Sequence, residues 1–174
     1  MKNIKLPLTR ETAAKLKMGE TVLLSGTVYT GRDQAHKRLV DALKRKKRLP
    51  IDLKGAVLYY CGPTRTPKGK AIGSCGPTTS SRMDCFAPEL LNAGLLGMIG
   101  KGRRSKEVIA AIKKHGAVYF LTYAGCGALL SKYVKKAIPA AYYDLGPEAI
   151  RELQVEQFPA IVGVDSRGKD IFST

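Results

Sequence analysis

Hydrophobic and polar residues alternate along "TVLLSGTVYT", residues 21–30, and this period of two predicts a β-strand. The stretch that follows, "DQAHKRLVDALKRKKRLP", changes to a helical period. Ala35, Leu39 and Leu43 form one apolar stripe, and Asp33 suits the positive N-terminal end of a helix. The two patterns predict a strand that passes into a helix at "GRD".

The rest of the chain largely repeats this order. Further strands are predicted in "GAVLYYCGP", "LLGMIGKG", "AVYFLTYAG" and "IPAAYYDLG". Helices are predicted in "MDCFAPELLNAG", "SKEVIAAIKKHG", "ALLSKYVKKA" and "PEAIREL", and Ser105 and Gly116 suit the two caps of the second of these. The last predicted element is a hairpin in "PAIVGVDSRGKDIF" that turns at "DSRG".

Strands that alternate with short helices favour an α/β fold. The early strand, the final hairpin and the uneven helix spacing do not suit a simple doubly wound sheet. A layered β/β/α arrangement suits them better. With no internal repeat and no linker, residues 1–174 are predicted to form a single domain.

Composition excludes some classes of protein. No apolar run approaches the roughly 20 residues needed to span a bilayer, and the first residues lack the apolar core of a secretory signal. We therefore expect a cytoplasmic chain without a membrane partner. The 30 Lys and Arg residues against 14 Asp and Glu residues give a net charge of +16.

That charge has three candidate explanations: nucleic acid, an acidic partner subunit, or a lysine-rich solvated surface. The basic run "KRKKR" at residues 44–48 is most simply a solvated helix end, because it lacks interleaved aromatic residues for base stacking. Nucleic-acid binding is kept as a distant alternative, and no nucleic-acid partner is expected.

The four cysteines, at positions 61, 75, 85 and 126, contain no C-x-x-C pair and no ferredoxin-like run. Their spacing argues against a zinc or iron–sulfur site held by this chain alone, so no metal ligand is expected here. All four are interpreted as small buried thiols.

Four loops that follow strands or open helices combine glycine with polar side chains. Arg32 lies in "YTGRDQAH", and "GSCGPTTSSRMD" carries Thr78, Thr79 and Arg82. Lys101 stands between two glycines in "GKG", and the fourth loop is "YAGCGALL". Ligands of open α/β sheets bind at the carboxyl ends of strands, where such loops meet.

These side chains suit a small dianion. Arg32 and Arg82 can each grip a carboxylate with two hydrogen bonds, Lys101 adds a point charge, and threonine hydroxyls can bond a carboxylate oxygen. Residue chemistry alone leaves phosphate and dicarboxylate equally possible. His36 is either a base beside Arg32 or a structural residue of the first helical turn.

Taken together, "SGTVYTGRDQAHKR", "YYCGP…GSCGPTTSSRMD", "GMIGKG" and "YAGCGALL" resemble, in order and spacing, the β subunit or C-terminal domain of iron–sulfur class I fumarate hydratases and L(+)-tartrate dehydratases. The resemblance runs from about residue 6 to residue 172. It implies a swivelling β/β/α domain and reversible hydration of fumarate to (S)-malate, a reaction of the tricarboxylic acid cycle. The alternative activity is dehydration of L(+)-tartrate to oxaloacetate.

The resemblance also implies a division of labour. The [4Fe–4S] cluster, the Lewis acid of the reaction, is expected on a partner α subunit, and a homo-oligomer of αβ pairs is expected. The implied residues that contact the dicarboxylate substrate are Arg32, Thr78, Thr79, Arg82 and Lys101. Of these, Thr78, Arg82 and Lys101 are the catalytic candidates, with Thr78 either the base or a positioning group whose partner chain supplies the base. Cys126 departs from the family's usual Gly-Gly at this loop.

Overall fold

The computed structural model describes residues 1–173. The strands are β1 (Lys2–Lys5), β2 (Thr21–Thr30), β3 (Val57–Tyr59), β4 (Gly97–Gly100), β5 (Val118–Leu121), β6 (Val134–Ala141) and β7 (Ile150–Val164). The helices are α1 (Arg10–Lys15), α2 (Asp33–Lys44), α3 (Ala87–Asn92), α4 (Lys106–His115) and α5 (Gly127–Leu130). Short 3-10 turns cover Ser80–Met83, Ser131–Tyr133 and Tyr143–Glu148.

The strands form one sheet that closes on itself. Its order is β1-β2-β3-β4-β5-β7-β6, and β7 also pairs with β2. Strands β1 to β5 run parallel to one another, whereas β7 is antiparallel to β2, β5 and β6. The long strand β7 therefore joins the two sides of the parallel sheet into a barrel-like ring.

Alternate side chains of the parallel strands enter two different cores. Val57 and Tyr59 of β3 point into a core enclosed by the sheet, together with Phe120 of β5. Leu58 of β3 and Tyr119 of β5 point to the opposite face, where α2, α3 and α4 pack. Because successive side chains of a strand point to opposite faces, one face of the sheet lines the enclosed core and the other face packs against the helices. The predicted α/β class is confirmed, and the arrangement has the layers of the expected β/β/α fold.

Local sequence signals place the ends of α4 as predicted. The Ser105 hydroxyl accepts a hydrogen bond from the Val108 N–H at 3.3 Å, which caps the first turn. Gly116 ends the helix with φ 67°, a left-handed conformation that suits glycine.

None of the helices in residues 1–173 has the length and apolar character of a membrane span.

Several predicted elements were wrong in the last third of the chain. Only the first residues of "ALLSKYVKKA" are helical, and strand β6 already begins at Val134. "PEAIREL" is not a helix, since Ile150 begins β7. The segment pairs with β2 and β6 on its two sides, and this pairing overrides its local helical propensity. β1 and α1 were not predicted.

Candidate active site

The four glycine-containing loops meet at one edge of the sheet. Strands β2, β3, β4 and β5 are successive parallel neighbours, so their carboxyl ends lie side by side. Arg32 follows β2, the long loop with Thr78 and Thr79 follows β3, and Lys101 follows β4 directly. The "YAGCG" loop follows β5. Parallel topology thus brings together residues that are far apart in sequence.

Arg32 and Arg82 approach each other through a shared carboxylate. The Arg82 Nε donates a hydrogen bond to Asp33 Oδ1 at 2.9 Å. The Arg32 Nε lies 3.9 Å from the other oxygen, Asp33 Oδ2, and 3.5 Å from Glu148 Oε1. These carboxylates face the Nε atoms. In residues 1–173 the terminal nitrogens of both guanidinium groups make no hydrogen bond, and a terminal pair can bind a carboxylate through two bonds.

Two residues that sequence analysis missed lie beside Arg32. Glu148 comes from the 3-10 turn before β7, and nothing in its sequence context signals a role beside Arg32. Gly62 follows β3, and a Cβ atom there would lie 3.0 Å from Arg32 Cδ. The glycine of "YYCGP" therefore leaves the space that the arginine side chain occupies.

The threonine loop and the "GKG" turn are joined through their backbones. Thr79 forms a parallel β-bridge with Lys101. The Ser80 N–H donates to the Lys101 carbonyl at 3.0 Å, and the Thr78 N–H donates to the Tyr60 carbonyl at 2.7 Å. Thr78, Thr79 and Lys101 are thereby fixed at the ends of adjacent strands, with Arg82 in the 3-10 turn that follows.

The fourth loop packs on the start of the threonine loop. The Cys75 N–H donates to the Gly127 carbonyl at 3.1 Å. A Cβ atom at Gly127 would lie 2.6 Å from the Gly76 nitrogen, so only glycine permits this approach. The edge therefore presents three cationic side chains and two threonines on backbone segments that contact one another.

Comparison with known proteins shows the family of the chain as a whole. The family described as Fumarase C-terminus matches residues 1–174. The chain belongs to this family. The resemblance proposed from the loop motifs is confirmed.

Relatives of the chain include both proposed activities among their names. A Methanocaldococcus jannaschii protein, whose name assigns it provisionally as an L(+)-tartrate dehydratase subunit beta, is 38% identical over 171 residues, covering 95% of this chain and 88% of that protein. The "Fumarate hydratase class I, aerobic" of Salmonella typhimurium is 42% identical over 151 residues, or 86% of this chain. "Fumarate hydratase 2" of Leishmania major is 37% identical over 175 residues, or 98% of this chain. The chain spans only 26% and 31% of these two fumarate hydratases.

The His36 side chain has a structural role. Its side chain is fully buried, and Nδ1 lies 2.8 Å from the Arg32 carbonyl, so Nδ1 carries the proton and donates. Burial lowers the pKa of His36 to about 4, which leaves the ring neutral at physiological pH. The ring packs edge-on against Tyr60. His36 thus fixes the carbonyl of Arg32 beneath the edge.

The cysteines divide into two kinds, which corrects the prediction of four buried thiols. Cys61 and Cys75 are buried, and burial raises the pKa of both, to about 12 for Cys75. Cys85 and Cys126 are exposed, because they lie in short turns at the surface. Across residues 1–173, no three His, Cys, Asp or Glu side chains group as metal ligands. The described residues therefore do not fit an iron–sulfur cluster.

The basic run at residues 44–48 lies away from the four loops. It covers the last residue of α2 and the exposed segment after it, whereas Arg32 stands at the other end of the same helix. Tyr123 of the fourth loop is 43% exposed. The edge of the sheet is thus bordered by an exposed aromatic side chain rather than by the basic run.

Proposed function

We propose that the chain is the β subunit of a two-subunit iron–sulfur hydro-lyase that interconverts fumarate and (S)-malate. The observation that carries the proposal is the cationic edge: Arg32 and Arg82 joined by Asp33, with Lys101 bridged to Thr79 beside them. A dicarboxylate is bound best by more than one cationic side chain, and this edge carries three. The chain also belongs to the Fumarase C-terminus family. The proposal treats residues 1–174 as one domain and places it in the cytoplasm.

Each site residue has a chemical task in this proposal. Arg32 and Arg82 bind the carboxylates of the substrate through their terminal nitrogens. When a proton leaves the carbon next to a carboxylate, negative charge spreads onto that carboxylate. Lys101 and Arg82 stabilise this charge, because fixed cations act most strongly where charge develops. Thr79 bonds a carboxylate oxygen and helps to orient the substrate.

Thr78 is the candidate for proton transfer. Its backbone N–H donates to the Tyr60 carbonyl at 2.7 Å, which fixes the backbone of Thr78 at the end of β3. A threonine hydroxyl is a weak base unless a neighbouring cation lowers its pKa, and the same edge carries Arg82 and Lys101. The alternative is that Thr78 only positions the substrate and that the partner chain supplies the base.

The partner is proposed to be an α subunit that carries the [4Fe–4S] cluster, and αβ pairs are proposed to associate further. The fumarate hydratases named above are three to four times longer than the matched region. This supports the proposal that a further part of the enzyme is supplied by a separate subunit. The net charge of +16 supports an acidic partner surface, since complementary charge steers association.

The second candidate substrate is L(+)-tartrate. It is favoured by the Methanocaldococcus jannaschii relative, because the alignment covers most of both chains. The two substrates differ in hydroxyl groups, and the described cations contact carboxylates in either case. The choice between them is therefore an outcome of the assay.

The proposal is tested by reconstituting the chain with its α subunit under anaerobic conditions and measuring the loss of fumarate, (S)-malate and L(+)-tartrate. We expect turnover of one of the three that neither subunit shows alone. Absence of turnover by a cluster-loaded pair would contradict the proposal. A gel shift with duplex DNA at moderate salt tests the distant alternative, because phosphate contacts would dominate such binding.

A further inference from the structure

The hydroxyl of Tyr119 lies under the "GKG" turn. Tyr119 belongs to β5 and is fully buried on the helical side of the sheet. Its hydroxyl oxygen lies 2.8 Å from Ser80 Oγ and 2.9 Å from the Gly102 carbonyl oxygen. Burial raises the pKa of Tyr119, so the hydroxyl keeps its proton and acts as a donor. The hydroxyl therefore ties the end of the turn to the threonine loop.

Ser80 holds the residue between these two contacts. The Lys101 N–H donates to Ser80 Oγ at 3.1 Å, and the Ser80 N–H donates to the Lys101 carbonyl at 3.0 Å. Gly100 has no space for a side chain, because a Cβ atom there would overlap the Ser80 hydroxyl. Gly102 has φ 81°, a left-handed conformation. The backbone on both sides of Lys101 is thus fixed.

A buried arginine, Arg104, packs against the Tyr119 ring. The Arg104 guanidinium lies 4.9 Å from the centre of the Tyr119 ring, and its side chain has no exposed surface. Its Nε donates to Asp84 Oδ1 at 2.7 Å, and Asp84 Oδ2 accepts the Ser105 N–H at 2.7 Å. Such a buried pair adds little net stability over apolar packing. What it provides is a rigid link between the turn and the segment that carries Arg82.

We propose that Tyr119, acting through Ser80, is a positioning residue that fixes the placement of Lys101 for catalysis. The inference rests on the proposed function, since it assigns Lys101 a role with substrate. Within residues 1–173 the Lys101 ammonium makes no ion pair or hydrogen bond of its own. Its position at the edge therefore depends on the backbone, and the backbone depends on the Tyr119 and Ser80 hydroxyls.

The experiment compares Tyr119→Phe with the matched control Thr122→Val in the αβ complex. Thr122 also donates a buried hydroxyl to a carbonyl, that of Pro159 at 2.9 Å, but this bond does not touch the turn. We expect Tyr119→Phe to lower kcat about tenfold with KM changed less than about twofold, because small misplacements of a catalytic group cost this much or more. Thr122→Val is expected to stay within about twofold of wild type.

The deciding measurement is the same Tyr119→Phe change in a Lys101→Ala background. If Tyr119 acts through Lys101, the second change lowers kcat no further, because the two effects are not additive. An equal loss of kcat with and without Lys101 would overturn the inference, as would a Tyr119→Phe variant that matches Thr122→Val. In either case the activity of the wild-type pair would still stand.

Hydrogen exchange gives a second measurement that needs no partner. In the chain alone, Tyr119→Phe is expected to speed exchange of the Lys101 N–H at least about tenfold, while Thr122→Val leaves it unchanged. Unchanged exchange in Tyr119→Phe would overturn the inference even if the wild-type pair proved inactive. An inactive wild-type pair with faster exchange would instead contradict the proposed function and keep Tyr119 as the residue that holds the turn.

Discussion

Asp33 links two arginines that are 50 residues apart in the sequence. Its Oδ1 accepts a hydrogen bond from Arg82 Nε at 2.9 Å, and its Oδ2 lies 3.9 Å from Arg32 Nε. The carboxylate reduces the repulsion between two guanidinium groups that share one edge, and its hydrogen bond orients Arg82. Asp33 thus keeps the guanidinium groups of Arg32 and Arg82 close to each other before substrate binds.

Replacing Asp33 by asparagine tests this arrangement. The amide keeps the size of the side chain but removes the negative charge, so the bond to Arg82 should weaken and the repulsion between the two guanidinium groups should increase. We expect kcat/KM of the αβ complex to fall about tenfold, or ~1.4 kcal/mol, close to the lower end of the contribution of a hydrogen bond to a charged group. Asp41→Asn is the control, since Asp41 is an exposed carboxylate on the same helix. Equal kinetics for the two variants would contradict the role.

Arg82→Ala tests the substrate contact itself. Loss of the guanidinium should lower turnover by roughly 100-fold or more, as for other groups that stabilise developing charge. Association with the α subunit should persist, because Arg82 is exposed and makes one described ion pair. Steady-state kinetics and size-exclusion chromatography measure the two effects. Arg45→Ala, which removes the same charge at the far end of α2, should leave turnover near wild type.

Gly100→Ala tests the close approach of the threonine loop to β4. The added methyl group would overlap Ser80 Oγ and would lie 3.0 Å from Tyr60 Cδ2. We expect the free energy of unfolding in urea to fall by about 1–3 kcal/mol, the usual effect of overpacking. Gly76→Ala is the control, because its methyl group would lie at an ordinary 3.4 Å from Gly127 Cα. A stable Gly100→Ala variant would show that the loop is free to move.

His36 predicts a specific dependence of stability on pH. Burial lowers the pKa of His36 from 6.5 to about 4, against the opposing hydrogen bond to the Arg32 carbonyl. Between these two values the unfolded chain binds a proton that the folded chain does not. Stability therefore falls as the pH drops from about 6.5 to about 4, by up to ~3 kcal/mol from this residue.

The measurement is urea unfolding at pH 7, 5.5 and 4.5 for wild type and His36→Gln. We expect the variant to lose less stability than wild type on acidification, because glutamine binds no proton in this range. His115→Gln, which changes the less buried histidine at the end of α4, should retain most of the wild-type slope. Parallel slopes for wild type and His36→Gln would show that His36 does not titrate as stated.

The predictions from sequence were best where one local signal decides the structure. Strand β2, helix α2 and the caps of α4 follow from alternation, an apolar stripe and the Ser105 and Gly116 caps. They failed after residue 130, where short segments have mixed propensity. There, pairing with β2 and β6 decided that Ile150 begins a strand.

By itself, the sequence determined the alternation of strands and helices, the polar residues of the four loops and the family that their spacing indicates. Those features are local, because hydrophobic period, caps and glycine turns act within a few residues. Only the tertiary structure decided that Glu148 and Gly62 flank Arg32, that Asp33 bridges to Arg82 and that Tyr119 supports the Lys101 turn. These contacts arise because the parallel strands, and the strand β7 that closes the sheet, bring distant segments to one edge. Spacing along the sequence does not show which distant segments will meet.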